Sequence, residues 1–172
     1  MGVISLGLSE IQVGEIAADG GCATVFKKIG KTYQNTCKIS QDSADVTEHY
    51  EEGQSAPEVR KKKKKVPVLA FSIMDPDTTF LKAYLGGTVT GDGEDAEWGW
   101  EDTDEDIEAS IRVIPETGLV FTIPRADIEA VLNVDASSQG ITLVDFTVTP
   151  LKPTKAGVKT ITARKKTSKF PT

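Results

Sequence analysis

The stretch Ile107–Ile123, IEASIRVIPETGLVFTI, decides how the rest of the chain is read. Two apolar, β-branched runs, Ile107–Ile114 and Leu119–Ile123, flank Pro115-Glu116-Thr117-Gly118. Proline fixes its own φ and glycine tolerates positive φ, so the insert reads as a turn and the whole as a β-hairpin. Ile141–Val148 (ITLVDFTV) predicts a late strand on the same grounds. Val66–Met74 (VPVLAFSIM) is the most hydrophobic stretch and predicts a central core strand, with Pro67 limiting pairing near its start. Pro124–Val134 reads two ways. Ile128, Val131 and Leu132 fit a helical turn, while Ala126, Ile128, Ala130 and Leu132 fit a strand.

Toward the N-terminus the same alternation continues. Ile11–Ile16 (IQVGEI) predicts a first strand, Asp19-Gly20-Gly21 a turn, and Ala23–Ile29 a second strand. Lys31–Ser40 (KTYQNTCKIS) predicts another, with Tyr33, Asn35, Cys37 and Ile39 on one face. One segment breaks the β pattern. Asp77 is placed to cap a helix in which Phe80, Leu81, Tyr84 and Leu85 recur at helical spacing, and Gly86-Gly87 ends it. Extended structure resumes at Thr88–Thr90, followed by a Gly91-Asp92-Gly93 turn. The expected class is mainly β: a two-sheet sandwich or partly open barrel with one short flanking α-helix. Residues 1–150 would form this domain, and 151–172 a basic tail in which Val158–Ala163 is an extra strand.

Residues 41–65 fit neither pattern. They are polar, contain Gly53 and Pro57, and end in the run Arg60–Lys65. A loop this long inside a compact domain is uncommon unless it has a task of its own. The expectation is a long projecting arm, a hairpin pairing Asp45–Tyr50 with Glu58–Lys64 through a turn at Glu52–Ser55.

The formal net charge is -6, which argues against a protein built to grip nucleic acid. Charge is also sorted along the chain. Asp92–Glu108 holds only acids among its charged residues, and after Pro150 the charged residues are all basic. Acids between Asp42 and Glu58 directly precede Arg60–Lys65, within a Debye length of ~8–10 Å, and blunt its field toward phosphates. That lysine run also lacks interleaved aromatics for base stacking. Segregation of this kind suits pairing within the chain or between copies.

Catalytic and metal-binding signatures are missing from the sequence. His49 is the single histidine, and with Cys22 and Cys37 far apart it falls short of a zinc ligand set. Asp102, Asp104 and Asp106 imitate the start of a calcium loop, but Ile107 stands where the loop needs glycine and Val113 where it needs glutamate. There is no phosphate-binding glycine loop and no GxSxG. The expectation is no enzyme and no cofactor. Two cysteines do not make a secreted disulfide framework, MGVISLGLSE lacks a basic n-region, and no apolar run approaches ~20 residues, so synthesis in the cytosol without membrane association is expected. Trp98 and Trp100 lie two apart, on one side of any strand there, and serve either as core cover or as interface anchors.

The order of features resembles the major tail tube protein of long-tailed phages and their prophage relatives. Gln41–Asp77, QDSADVTEHYEEGQSAPEVRKKKKKVPVLAFSIMDPD, resembles that family's acidic arm ending near a proline, followed by a core strand and a short helix. The early Gly-rich segment and the strand pair around Pro115–Thr149 follow the same order, so the resemblance covers most of residues 10–150. It implies a non-enzymatic structural subunit of the virion tail. Six copies would form each ring, with rings stacked into a hollow tube and DNA passing through the lumen without specific binding. Tail terminator, tape-measure and tail-tip proteins would be further partners. By position the arm contacting neighbouring subunits would include Asp45, Val46, Glu48, Tyr50, Glu51, Glu52, Pro57, Arg60, Lys61 and Lys63, with acids of the strands or of Asp92–Glu108 facing the bore. The inner tube of a contractile tail or injection system shares that fold. A monomeric β-sandwich binding module using Trp98 and Trp100 is the rival of a different class.

Overall fold

The computed structural model describes residues 2–103 and 106–167. Twelve strands and one helix are present among them, in the order β1 Glu10–Gly14, β2 Lys27–Lys28, β3 Lys38–Ser40, β4 Asp45–His49, β5 Val59–Lys63, β6 Val68–Ile73, α1 Thr78–Leu85, β7 Thr88–Thr90, β8 Glu97–Gly99, β9 Glu108–Ile114, β10 Leu119–Val134, β11 Thr142–Pro150 and β12 Thr162–Lys165. The fold is mainly β. Eight strands form one sheet in the order β2-β1-β9-β10-β11-β6-β3, with β12 added to β10, and they do not close into a barrel. β4–β5 and β7–β8 are separate two-stranded sheets.

The hairpin that opened the sequence reading is the spine. β9 and β10 pair with Phe121 opposite Val113 and Ile123 opposite Ile111; the register then shifts so that Ala126 faces Ala109. Pro124 and Arg125 therefore oppose the single residue Ser110, the geometry of a β-bulge. Pro124 has no N–H for the ladder, and its carbonyl accepts a 2.6 Å bond from Ser110 Oγ instead. Ser110 Oγ also accepts from the Ala23 N–H at 2.9 Å. Its side chain is fully buried. Beyond the bulge β10 runs on to Val134, pairing with β11 from Ala126 to Val134. Of the two readings of Pro124–Val134, the strand is the one adopted.

The main sheet's inner face carries Ile11, Leu69, Phe71, Ile73, Ile111, Ile123, Ile128, Val144, Phe146 and Val148, which form one buried cluster. Val144, Phe146 and Val148 point in opposite Ile73, Phe71 and Leu69, while Asp145 and Thr147 lie on the other face opposite Ser72 and Ala70, where Ser72 is buried under residues 33–36. Helix α1 covers this face. Asp77 Oδ1 accepts the Phe80 N–H at 2.7 Å, and Gly86 ends the helix at φ 72°. Phe80 and Tyr84, one turn apart, meet Phe146 edge-on at ring distances of 5.8 and 5.2 Å, and Phe146 stacks on Phe71 at 4.9 Å.

Four sequence expectations are corrected. The strand over Ala23–Ile29 shrinks to Lys27–Lys28, because Ala23 is tied by its N–H to Ser110 and not to a neighbouring strand. The strand over Lys31–Ser40 splits. Thr32 bridges Ile73 and Lys38–Ser40 pairs with Ala70–Val68, but residues 34–37 loop out between them. Asn35 takes φ 61°, and Thr36 Oγ1 donates to the Tyr33 carbonyl, a local turn that competes with the ladder. Tyr33, Asn35, Cys37 and Ile39 therefore do not share a strand face. The extra C-terminal strand lies at Thr162–Lys165, beyond the expected Val158–Ala163, because Leu119–Thr122 is the free edge it pairs with. Trp98 and Trp100 do not sit on one strand, since β8 ends at Gly99.

Candidate functional site

The β4–β5 hairpin stands off the main sheet. Asp45 faces Lys63, Thr47 faces Lys61 and Glu48 faces Arg60. Its strands touch each other and no other strand or helix among the described residues. Every residue of β5 is exposed, as are Val46 and Tyr50. Charge sorting along the sequence becomes pairing across the ladder: Arg60 Nε lies 2.7 Å from Glu48 Oε1 and Lys65 Nζ 3.2 Å from Asp45 Oδ1. Tyr50 donates its hydroxyl to Glu48, which raises the phenol's pKa. The Gln41 amide bonds the Lys65 carbonyl at 2.6 Å and closes the base.

Among the expected arm residues, Asp45, Val46 and Glu48 lie on β4 and Arg60, Lys61 and Lys63 on β5. Tyr50, Glu51, Glu52 and Pro57 belong to the connecting loop, where Gln54 N–H bonds the Glu51 carbonyl at 3.1 Å. Lone two-stranded hairpins are marginal in water, and both outer edges of this one show unpaired backbone groups. Nothing in the described residues covers it.

A second open feature is the half-sheet β10-β11-β6-β3. On the β9 side, β10 is paired only as far as Asp127, with one further bond from Ile128 N–H to the Ile107 carbonyl. Glu129–Val134 therefore has a free edge, and Val131 and Val134 are exposed there. The opposite edge is β3, the last strand of the sheet order. The layer's outward face is mixed: it carries Asp127, Glu129 and Asp145, the last accepting from the Ser72 hydroxyl, beside Val131, Leu143 and Ala70. Sequence reading missed both free edges. Pairing partners are set by tertiary topology, and only the exposed valines of β10 hinted at them.

The tryptophans separate by role. Trp98 Nε1 donates 2.8 Å to the Gly86 carbonyl and ties β8 to the end of α1, a structural contact. Trp100 is 69% exposed. Of the acidic run around it, Asp104 and Glu105 lie outside the described residues, and with them the centre of the Asp102-Asp104-Asp106 alternation.

Two of the concavities among the described residues lie along β10. The smaller, about 500 Å³, lies among Tyr84, Leu85, Trp100, Asp106 and Asp127–Ala130. The larger, about 1080 Å³, lies at the other end of β9 and β10, and Val113, Leu119 and Phe121 line it. Among the described residues no group of three or more His, Cys, Asp or Glu is placed to hold a metal ion, and no helix is long and apolar enough to cross a membrane. Burial pushes the Cys37 thiol up to about 11, and burial likewise raises Cys22. Neither cysteine is poised as a nucleophile. No protein-family model matches the chain, and no curated protein matches it.

Proposed function

We propose that this chain is a self-assembling structural subunit of a phage-type tail tube, forming stacked rings around a DNA conduit. The observation that carries the reading is the half-sheet β10-β11-β6-β3 with unpaired edges on opposite sides. Its four strands alternate in direction, since each neighbouring pair is antiparallel. A rotated copy set with its β3 beside Glu129–Val134 would continue that alternation. Two different patches of one subunit then meet head to tail, which closes into a ring when the rotation closes. The edges that invite aggregation in a monomer would be used up.

The outward face of that half-sheet, with Asp127, Glu129 and Asp145 against Lys38 and an Arg125 already paired with Glu108, suits a wall that repels a phosphate backbone. The free hairpin supplies a second contact, for a neighbouring subunit or the next ring. Negative-stain electron microscopy of concentrated protein should show rings or tubes. Replacing residues 42–64 by a short turn should leave the main sheet's cooperative melting unchanged while tubes disappear. Concentrated protein that remains a closed monomer, even when seeded with tail tips, would defeat the reading. The inner tube of a contractile tail fits the same edges. The exposed Trp100 favours, as a second reading, a monomeric binding module, which would show a saturable ligand and no rings.

A further inference from the structure

The larger concavity exists because the expected strand Lys31–Ser40 loops out at residues 34–37, which leaves β2 and β3 short. The floor so exposed is apolar: Leu8, Cys37, Ile39 and Phe121 line it and are only partly buried. Lys28, Lys31 and Lys38 rim it, all exposed. Glu10 and Glu116 also line it, leaving the lysines in excess. At about 1080 Å³ it exceeds a small-molecule site, typically ~300–1,000 Å³.

Trp100 is its complement. The ring is 69% exposed, the most exposed aromatic among the described residues. Glu97, Glu101 and Asp102 flank it, and no lysine or arginine stands between Asp92 and Glu108. An indole buries ~150–250 Å² and makes a rigid anchor at little entropic cost. The chain cannot fill its own groove with this ring. Trp100 lies beside Asp127–Ala130 of β10, the groove beside Leu119 and Phe121. Eight residues of strand, about 26 Å at ~3.3 Å per residue, run between Phe121 and Glu129.

We infer that Trp100 of one copy seats in the Leu8/Cys37/Ile39/Phe121 groove of a second copy. Glu97, Glu101 and Asp102 then meet the Lys28, Lys31 and Lys38 rim. Knob and hole lie at opposite ends of the β9–β10 hairpin, so the contact repeated in one orientation propagates along the strand direction. It does not use the β4–β5 hairpin; Lys38 and Ile39 belong to the edge strand β3, but they contribute side chains and not the strand's backbone pairing, and the contact stands whether or not the assembled object is a tail tube.

Sedimentation equilibrium of the full chain tests it, with circular dichroism melts confirming that each variant is folded. Trp100→Ala should weaken self-association at least tenfold. Lys31→Glu with Lys38→Glu should do the same, as should Glu97→Lys with Asp102→Lys. Combining the two charge reversals should restore association to within a few-fold of the original. Unchanged association in Trp100→Ala, no recovery in the combined variant, or a wild type monomeric at every concentration would each overturn the contact. Tubes that still form from Trp100→Ala would sink this contact alone and leave the tube reading standing. Trp100-dependent association without rings or tubes would do the reverse.

Discussion

Replacing Ser110 by alanine should destabilise the protein far more than its single lost oxygen suggests. The hydroxyl is fully buried, accepts the Ala23 N–H at 2.9 Å and donates to the Pro124 carbonyl at 2.6 Å. Alanine removes one atom but strands two backbone groups, each costing ~1–3 kcal/mol when left unsatisfied in the interior. The sum is about 2–6 kcal/mol, partly reduced if water enters the space. For a chain of this length ~2–4 °C of melting temperature is lost per kcal/mol, so a fall of about 4–24 °C is expected. Urea unfolding followed by circular dichroism, with reversibility checked, measures the difference directly. Ser40→Ala, at an exposed position of β3, serves as the control and should stay within ~0.5 kcal/mol. A Ser110→Ala variant indistinguishable from that control would show that the bulge does not depend on this side chain, and the account of why β10 continues past Pro124 would fail.

Two further effects follow from the site descriptions. Asp77→Ala removes the acceptor for the Phe80 N–H and should cost ~1 kcal/mol, with Asp77→Asn largely retaining the cap; equal loss in both would argue against capping. In a Cys22→Ser background, Cys37 should react with a maleimide about 100-fold more slowly than a free cysteine at pH 8, since its pKa stands at about 11 against 9.0. The sign for stability follows from the same shift. The folded state favours the neutral thiol, so this contribution is present below pH 9.0 and is lost as pH rises toward 11. A Cys37→Ser variant should lose that alkaline slope, and a slope that survives would assign it elsewhere.

What the sequence made legible was local. Pro115–Gly118, the Asp77 cap with Gly86 as stop, and the alternation of Val144, Phe146 and Val148 each encode their own conformation within a few residues. The turn, the helix and the core face stand where those residues put them. Segments whose conformation is set by distant partners were not legible. Asn35 and Thr36 look like strand residues until Ser72 is known to lie alongside, its N–H bonded to Thr36 Oγ1 at 3.1 Å. Trp98 and Trp100 are equivalent in sequence, and only the Gly86 carbonyl beside Trp98 separates a structural tryptophan from a free one.

The sequence alone determined that this is a mainly β chain with one capped helix, a polar segment at 41–65 and charges sorted by region. Which edges go unpaired, and that Trp100 lies about 26 Å of strand away from the groove it complements, came from the folded chain. Alternation, turns and caps act through neighbours a few residues apart. Edge exposure and surface complementarity are sums over the whole path of the chain, so no window of sequence contains them.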